Sequence, residues 1–418
     1  MLETLLLIPA RVGGVPIFGF GLLSGLIVVA ALVRAVMAVR GGRSADFFGG
    51  EAFYWLIAGG LVALVIPAVM LRNVDGDPVG LAIRGYGVCL LVAVTASIAA
   101  AAYRARRFGV DPDIIYGIAP WAFFGGILGA RTFFVVQYRD QFIGGSIVET
   151  IGRMIDFTSG GLVVYGSFIG GAIGVLIFLV RHRVPILKLG DVIVPCLFVG
   201  IFFGRMGCLM HGCCWGGRCE PSATALNFPP GSPVYRDQML DGSLIGLRFD
   251  PATRVVEDVA SGSIADRSGI EAGDRLLRLQ PDAYGSRVDA PRDVPVESIP
   301  MGVIVETDRD TVTIPASRMP PRALPVFPAQ VVSSLGGLAL FLALNLIPAG
   351  RFRDGTVMIA GFVGYAVLRF GMEWIRVDEA GQFGTSLTIS QWVSVVVLVG
   401  SLIGFAALRY RTPPAVAV

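Results

Sequence analysis

Val192-Ile193-Val194-Pro195-Cys196-Leu197-Phe198-Val199-Gly200-Ile201-Phe202-Phe203-Gly204-Arg205 carries no charged side chain before its last residue. It belongs to an apolar run over about 189–208, and roughly 20 such residues suffice for an α-helix to cross the hydrocarbon of a bilayer. Eight more runs of this kind cover about 15–39, 52–71, 80–103, 114–138, 159–180, 327–348, 356–376 and 390–408. The expected fold is therefore an all-α polytopic membrane protein of nine transmembrane helices. Composition agrees: 54% of the 418 residues are hydrophobic and 16% are charged, where an ordinary soluble domain has about 25% charged. Mean hydropathy is +0.71. A disordered chain, a fibrous repeat and a single soluble globule are excluded. The net charge of +3 is too small for a nucleic-acid binder, so no nucleic-acid partner is expected. Met1 to Ala10 is apolar without a basic start, and no cleaved signal peptide is read there.

Lys and Arg set the orientation. Arg34, Arg40 and Arg43 follow the first span, Arg104, Arg106 and Arg107 the third, and Arg181, Arg183 and Lys188 the fifth. Arg351 and Arg353 follow the seventh, and Arg409 and Arg411 the ninth, whereas the even-numbered exits are poorer in basic residues. The N-terminus is expected outside and the C-terminus inside. The loop after the sixth span then lies outside. Residues 218–324 hold 28 of the chain's 65 Asp, Glu, Lys and Arg residues, the mark of a water-facing inserted domain. Val255-Val256-Glu257-Asp258-Val259, the turn at Gly262-Ser263, Ile264-Ala265-Asp266-Arg267, the turn at Gly273-Asp274 and Arg275-Leu276-Leu277 suggest strand, turn, short helix, turn and strand. Val303-Ile304-Val305 and Val312-Thr313-Ile314 would supply further strands. The insert resembles a PDZ domain, which either binds an extended peptide at a sheet edge or serves as a spacer.

An internal repeat precedes the core. At an offset of 66, Gly19-Phe20-Gly21 aligns with Gly85-Tyr86-Gly87, Arg40 with Arg106, Trp55 with Trp121, and Gly59-Gly60 with Gly125-Gly126. The first copy has Phe20 and Val65 where the second has Tyr86 and Arg131, so only the second retains polar chemistry. The expected domains are a degenerate duplicated helix pair at 1–74, the membrane core at 75–217 and 325–418, and the insert at 218–324.

Charges in a bilayer are expensive and call for a partner or a role. Arg131 lies deep in the fourth span and Arg205 near the outer end of the sixth. Tyr365, Arg369 and Glu373 recur every four residues in the eighth and so share one helix face. An Arg369–Glu373 pair neutralises itself, while Arg131 and Arg205 add surplus positive charge. That surplus suits an anionic lipid headgroup, whose phosphate oxygens Arg can grip bidentately. The fifth span opens Ser159-Gly160-Gly161-Leu162-Val163-Val164-Tyr165-Gly166-Ser167 and continues to Gly170-Gly171. Its glycines allow close helix packing or leave room for a lipid. After the sixth span come Cys208, His211, Cys213, Cys214 and Cys219. They are open to three readings: a metal site, a disulfide on the outer face, or packing and catalysis. Adjacent Cys213 and Cys214 are not expected to point at one ion, and no metal is assigned.

The chain resembles the bacterial prolipoprotein diacylglyceryl transferase family over residues 80–217 and 323–410. Matching segments recur in order at Arg84-Gly85-Tyr86-Gly87, at Gly125-Gly126-Ile127-Leu128-Gly129-Ala130-Arg131 and at Gly160 to Gly166. They continue at Asp191 to Pro195 with Gly204-Arg205-Met206-Gly207, at Pro325 to Gln330, at Tyr365 to Phe370 with Glu373 and Arg376, and at Leu387 to Gln391. The resemblance departs where the family has His and this chain Tyr165, and where Cys208, His211 and Cys213 replace two Asn and a Glu. It implies transfer of diacylglyceryl from phosphatidylglycerol to the cysteine thiol of a prolipoprotein signal peptide at the bilayer, without cofactor. By the same resemblance Arg205 and Arg369 serve the phosphate, with Tyr165 or His211 as proton acceptor, unless the two arginines alone lower the thiol's pKa. Tyr86, Arg131, Gly166, Gly216, Tyr365 and Glu373 would bind substrate. Readings from other classes are a lipid-holding scaffold presenting the insert to peptides, a thiol-redox protein and, on weaker grounds, a transporter.

Overall fold

The computed structural model describes residues 4–42, 51–142, 146–155, 161, 163–282, 295–296, 299–348, 352–376, 381–382 and 384–410. Strand β1 (Thr4–Pro9) is followed by a tight hairpin of β2 (Arg11–Val12) and β3 (Val15–Pro16). Helix α1 (Leu22–Arg40) and helix α2 (Ala52–Val69) form the first helix pair, linked by an ion pair from Arg34 to Glu51 at 2.6 Å. The strands β4 (Leu71–Arg72) and β5 (Pro78–Arg84) come next, and β5 pairs antiparallel with both β1 and β4. The expected third span thus loses its start to a strand: Gly80 to Arg84 pairs along β1, and the helix begins only at Gly85.

Helices α3 (Gly85–Arg107) and α4 (Pro112–Gln137) make the second pair, with Asp111 capping α4 through the Asp113 N–H at 3.0 Å and Pro112 at the first helical position. Next come α5 (Ile147–Ile155), α6 (Val164–His182) and α7 (Ile186–His211). The insert supplies α8 (Pro233–Leu240), β6 (Leu247–Phe249), β7 (Val256–Val259), α9 (Ile264–Arg267), β8 (Leu276–Asp282), β9 (Gly302–Thr307) and β10 (Thr311–Ile314). Helices α10 (Ala329–Asn345), α11 (Thr356–Met372) and α12 (Ile389–Tyr410) complete the described chain.

Among the described residues, six helices are long and apolar enough to cross a membrane: α1, α2, α3, α4, α7 and α12. Three more are apolar but shorter: Gly166–His182, Ala329–Asn345 and Thr356–Met372. These helices turn apolar side chains outward, as at Leu56 and Leu128 on two of the long ones and Phe168 and Val180 on the shorter α6, a surface that suits lipid and would aggregate in water. The protein is a mostly helical, multi-pass membrane protein.

The chain divides into two compact units. One is Met1–Cys89 with Met206–Gln330; the other is Leu90–Arg205 with Val331–Val418. In the first, the insert has its own apolar core of Phe228, Tyr235, Met239, Ile245, Leu276, Val303 and Val305, among others. The expected order of strand, short helix and strand appears as β7, α9 and β8, with Ser263 capping α9. The predicted strands at 303–305 and 312–314 are β9 and β10, and the sheet order is β10-β9-β8. The two ends of the insert are stitched together: Gly216 N donates to Phe327 O at 3.0 Å, and Phe327 N to Gly217 O at 2.9 Å.

In the second unit, glycines bring α4 and α6 together. A Cβ at Gly166 would stand 2.5 Å from Gly129 O, and one at Gly125 would stand 2.5 Å from Gly170 O. No larger residue fits these positions without pushing the backbones apart, which is how small residues drive helix association in lipid. Another tie uses a buried acid. Asp191, 4% exposed on α7, accepts from Gly355 N and Met358 N at 2.7 Å each. It caps α11 from a neighbouring helix and sets negative charge against that helix's positive end. Buried Arg104 binds the carbonyls of Asp191 and Val192 and the side chain of Asn345.

Candidate functional site

Arg369 lies in the last turn of α11, and Glu373 ends that helix. The guanidinium donates from Nη1 to Glu373 Oε2 at 2.5 Å and from Nη2 to Ser390 Oγ at 2.6 Å. The Arg369 side chain is 17% exposed and that of Glu373 2%. This is an almost dry ion pair, strongly favourable only if its remaining valences are met. Glu373 Oε1 is buried with no partner among the described residues. Two of five guanidinium N–H groups are committed among the described residues, so the others are available to an anion. Tyr365, one turn earlier on α11, is partly buried with its ring 6.0 Å from that of Phe198.

Ser390 was not among the residues singled out from sequence, yet a local pattern places it. Thr388 and Gln391 form a capping box: Gln391 N donates to Thr388 Oγ1 at 3.3 Å, and Thr388 N to Gln391 Oε1 at 3.0 Å. A Thr-x-x-Gln start of this kind fixes the first turn of a helix, and Ser390 sits inside that turn. Elsewhere along the same two helices, α11 and α12 border an open apolar cavity of about 510 Å³, lined by Met358, Ile359, Phe362, Val397, Gly400 and Gly404 among others. Phe362 precedes Arg369 by seven residues, about 10 Å along a helix.

Arg131 is 4% exposed. Its Nε reaches Met154 O at 2.9 Å, Nη1 reaches Gly161 O at 3.1 Å and Nη2 reaches Arg153 O at 2.7 Å. The rings of Phe134 and Phe142 also lie within 6 Å of it. The guanidinium ties the last turn of α5, through two carbonyls, to the stretch before α6, through one. Gly166 is buried against α4. Arg205, six residues before the end of α7, is partly buried and has no hydrogen bond or ion pair among the described residues. Tyr165 opens α6, and its side chain lies outside the described residues.

In the other unit, Tyr86 and His211 face each other with ring centroids 6.1 Å apart. Gly207 lies at the Tyr86 ring, where an added Cβ would come to 3.2 Å. Gly216 is buried in the stitch that closes the insert. None of the six cysteines, all among the described residues, forms a disulfide. Cys208, Cys213 and Cys214 bring their sulfur atoms within 4.8 Å of one another. Neighbouring Cys213 and Cys214 thus do converge, contrary to the expectation from their adjacency. The reason is the backbone: Gly212 (φ 80°) and Cys214 (φ 58°) are both left-handed and curl the chain back over the end of α7. Hydrogen bonding to the Cys208 and Cys214 thiols, together with burial, pushes the Cys213 thiol well above its usual range. Gln330, 1% exposed, donates from Nε2 to Cys213 O at 2.8 Å, and its Oε1 has no partner among the described residues.

The sequence model of the prolipoprotein diacylglyceryl transferase family matches residues 78–407. This chain belongs to that family. It is 43% identical, over 96% of its length and 88% of the relative's, to a phosphatidylglycerol–prolipoprotein diacylglyceryl transferase of Rhodopirellula baltica. A second such transferase, from Clostridium perfringens, is 22% identical over 80% of this chain and 94% of the relative. One from Clostridium tetani is 32% identical over 33% of this chain and 53% of the relative. The match to the Rhodopirellula protein reaches beyond residues 78–407 and so takes in chain outside the family's shared core.

Proposed function

We propose that this chain transfers the diacylglyceryl group of phosphatidylglycerol to the lipobox cysteine of prolipoproteins. The prolipoprotein thiolate attacks a saturated glycerol carbon. The S–C bond forms, the C–O bond to phosphate breaks, and glycerol phosphate leaves with the electron pair. The observation that carries the reading is Arg369, a nearly dry guanidinium aimed by Glu373 and Ser390, with N–H groups to spare among the described residues. Preformed positive charge of this kind stabilises the departing phosphate without reorganising. Arg205 supplies the second guanidinium. Tyr86 and Tyr365 hold glycerol or phosphate oxygens, Gly216 lets the headgroup approach the backbone, and an acyl chain runs along the apolar cavity between α11 and α12.

The thiol loses its proton to Tyr165 or His211, or ionises in the field of the two arginines. Arg131 and Gly166 serve substrate binding by fixing the wall formed by α4, α6 and the stretch before α6. The membrane part consists of nine spans in the bacterial plasma membrane, with the N-terminus and the PDZ-like insert outside and the C-terminus in the cytoplasm. Residues 1–74 are a degenerate copy of the following helix pair. The transfer as written requires no cofactor.

The test is initial-rate transfer from labelled phosphatidylglycerol to a lipobox peptide by the full chain and by Arg205→Ala, Arg369→Ala, Tyr165→Phe and His211→Ala. The unmodified protein forms the thioether, and both Arg variants lose at least a hundredfold. No product from the unmodified chain refutes the transfer. Full activity in both Arg variants refutes the phosphate clamp.

A further inference from the structure

The end of α7 carries a device that the transfer chemistry does not use. Cys208 lies in the last turn of that helix, and Gly212 N and Cys213 N both donate to its carbonyl, at 2.9 and 3.1 Å. The chain then makes two left-handed turns, at Gly212 and Cys214. A left-handed φ at a residue other than glycine is strained and persists only where surrounding contacts enforce it. Those contacts are present. A Cβ on Gly212 would come to 2.9 Å from Phe228 and 3.1 Å from Ser232, and Gln330 anchors the Cys213 carbonyl. The result is that three sulfur atoms converge within 4.8 Å, and the distortion at Cys214 is part of what brings them together.

We propose that Cys208, Cys213 and Cys214 form a three-thiolate site for a thiophilic d10 cation, Zn2+ or Cu+, with one coordination position left open. Thiolate sulfur is a soft ligand and selects ions of this class over calcium or magnesium. A Zn–S bond of about 2.3 Å sets the sulfurs of a three-thiolate site about 3.8–4.0 Å apart, so side-chain adjustments of about 1 Å close the site. Uptake exchanges three thiol protons for the cation. The open position accepts a water or a further thiol. A disulfide between any two of these cysteines is incompatible with the site. The proposal does not rest on the transferase reading, because metal uptake is measured without turnover.

The experiment uses the full chain, purified in detergent under a phosphine reductant, stripped with chelator and offered one equivalent of Zn2+, Cu+ or the spectroscopic probe Co2+. About one equivalent of Zn2+ or Cu+ is retained through gel filtration, and which of the two is retained at equal supply names the ion. The Co2+ form develops intense thiolate-to-metal charge-transfer absorption in the near ultraviolet. Cys213→Ser and Cys214→Ser weaken retention at least tenfold, while Cys89→Ser and Cys219→Ser leave it unchanged. The Co2+ spectrum of the unmutated protein reads thiolate ligation directly, so a misfolded variant does not decide the matter. Retention of neither ion, retention undiminished in both serine variants, or absence of the charge-transfer band overturns the proposal. So does a disulfide among the three cysteines in chain alkylated directly from the membrane.

Discussion

Removing the Arg369 guanidinium tests the site most sharply, provided the variant separates catalysis from folding. Arg369→Ala alone strands Glu373, whose side chain is 2% exposed, and an orphaned buried charge costs about 3–5 kcal/mol. The double variant Arg369→Ala/Glu373→Gln removes that penalty, because neither charge remains. Its stability should return to within about 2 kcal/mol of the unmodified chain, the residue of one lost hydrogen bond to Ser390 and some lost packing. Transfer should not return. One preorganised donor to a developing oxyanion is worth about 100- to 1,000-fold in rate, so the double variant should remain down by at least 100-fold. Arg369→Lys keeps the charge but cannot span Glu373 and Ser390 together, and should fall about tenfold, the equivalent of about 1.4 kcal/mol. The assay is the initial rate of lipobox-peptide alkylation at varied phosphatidylglycerol, paired with a thermal melt in detergent. A stable double variant working within threefold of the unmodified rate would refute the reasoning.

Further outcomes follow from individual contacts. Gly170→Ala sets a methyl group 2.7 Å from Gly129 Cα, and should cost about 1–3 kcal/mol by overpacking, read as a lower melting temperature in detergent. Asp191→Ala removes the cap of α11 and leaves Gly355 N and Met358 N buried without their acceptor; a loss of about 1–3 kcal/mol should appear as faster amide exchange over 355–358. In the insert, burial works to raise the Asp274 carboxyl's pKa, but hydrogen bonds from Arg309 and Glu271 N outweigh it and hold the value below the ordinary range. Its contribution is therefore present above about pH 4 and lost as pH falls further. Because Arg309 is half exposed, screening limits the effect to about 1 kcal/mol. Protection of residues 271–277 from exchange should drop on acidification in the unmodified chain and be flatter with pH in Asp274→Asn. Arg131→Gln loses carbonyl contacts at Arg153, Met154 and Gly161, and should reduce stability by more than about 2 kcal/mol before any effect on phosphatidylglycerol KM is seen.

The sequence by itself determined the membrane class, the insert and most of the helices, because these depend on local and additive properties. Runs of apolar residues lengthen into spans, and clustered charge sets the insert apart from them. The every-fourth spacing of Tyr365, Arg369 and Glu373 likewise sets one face without any knowledge of neighbours. What depends on distant partners was not legible. Gly80 to Arg84 reads as the start of a span, and only the β1 strand about 75 positions earlier makes it a strand. Arg131 and Arg205 look alike as lone cations in apolar runs, yet one has its nitrogens on backbone carbonyls and the other has no such partner among the described residues. Cys213 and Cys214 diverge in any regular element, and only left-handed turns held by Phe228, Ser232 and Gln330 make them converge. Sequence spacing fixes what a single helix or turn presents, but which partner a polar atom finds is decided by tertiary packing, since that alone brings together groups a hundred residues apart.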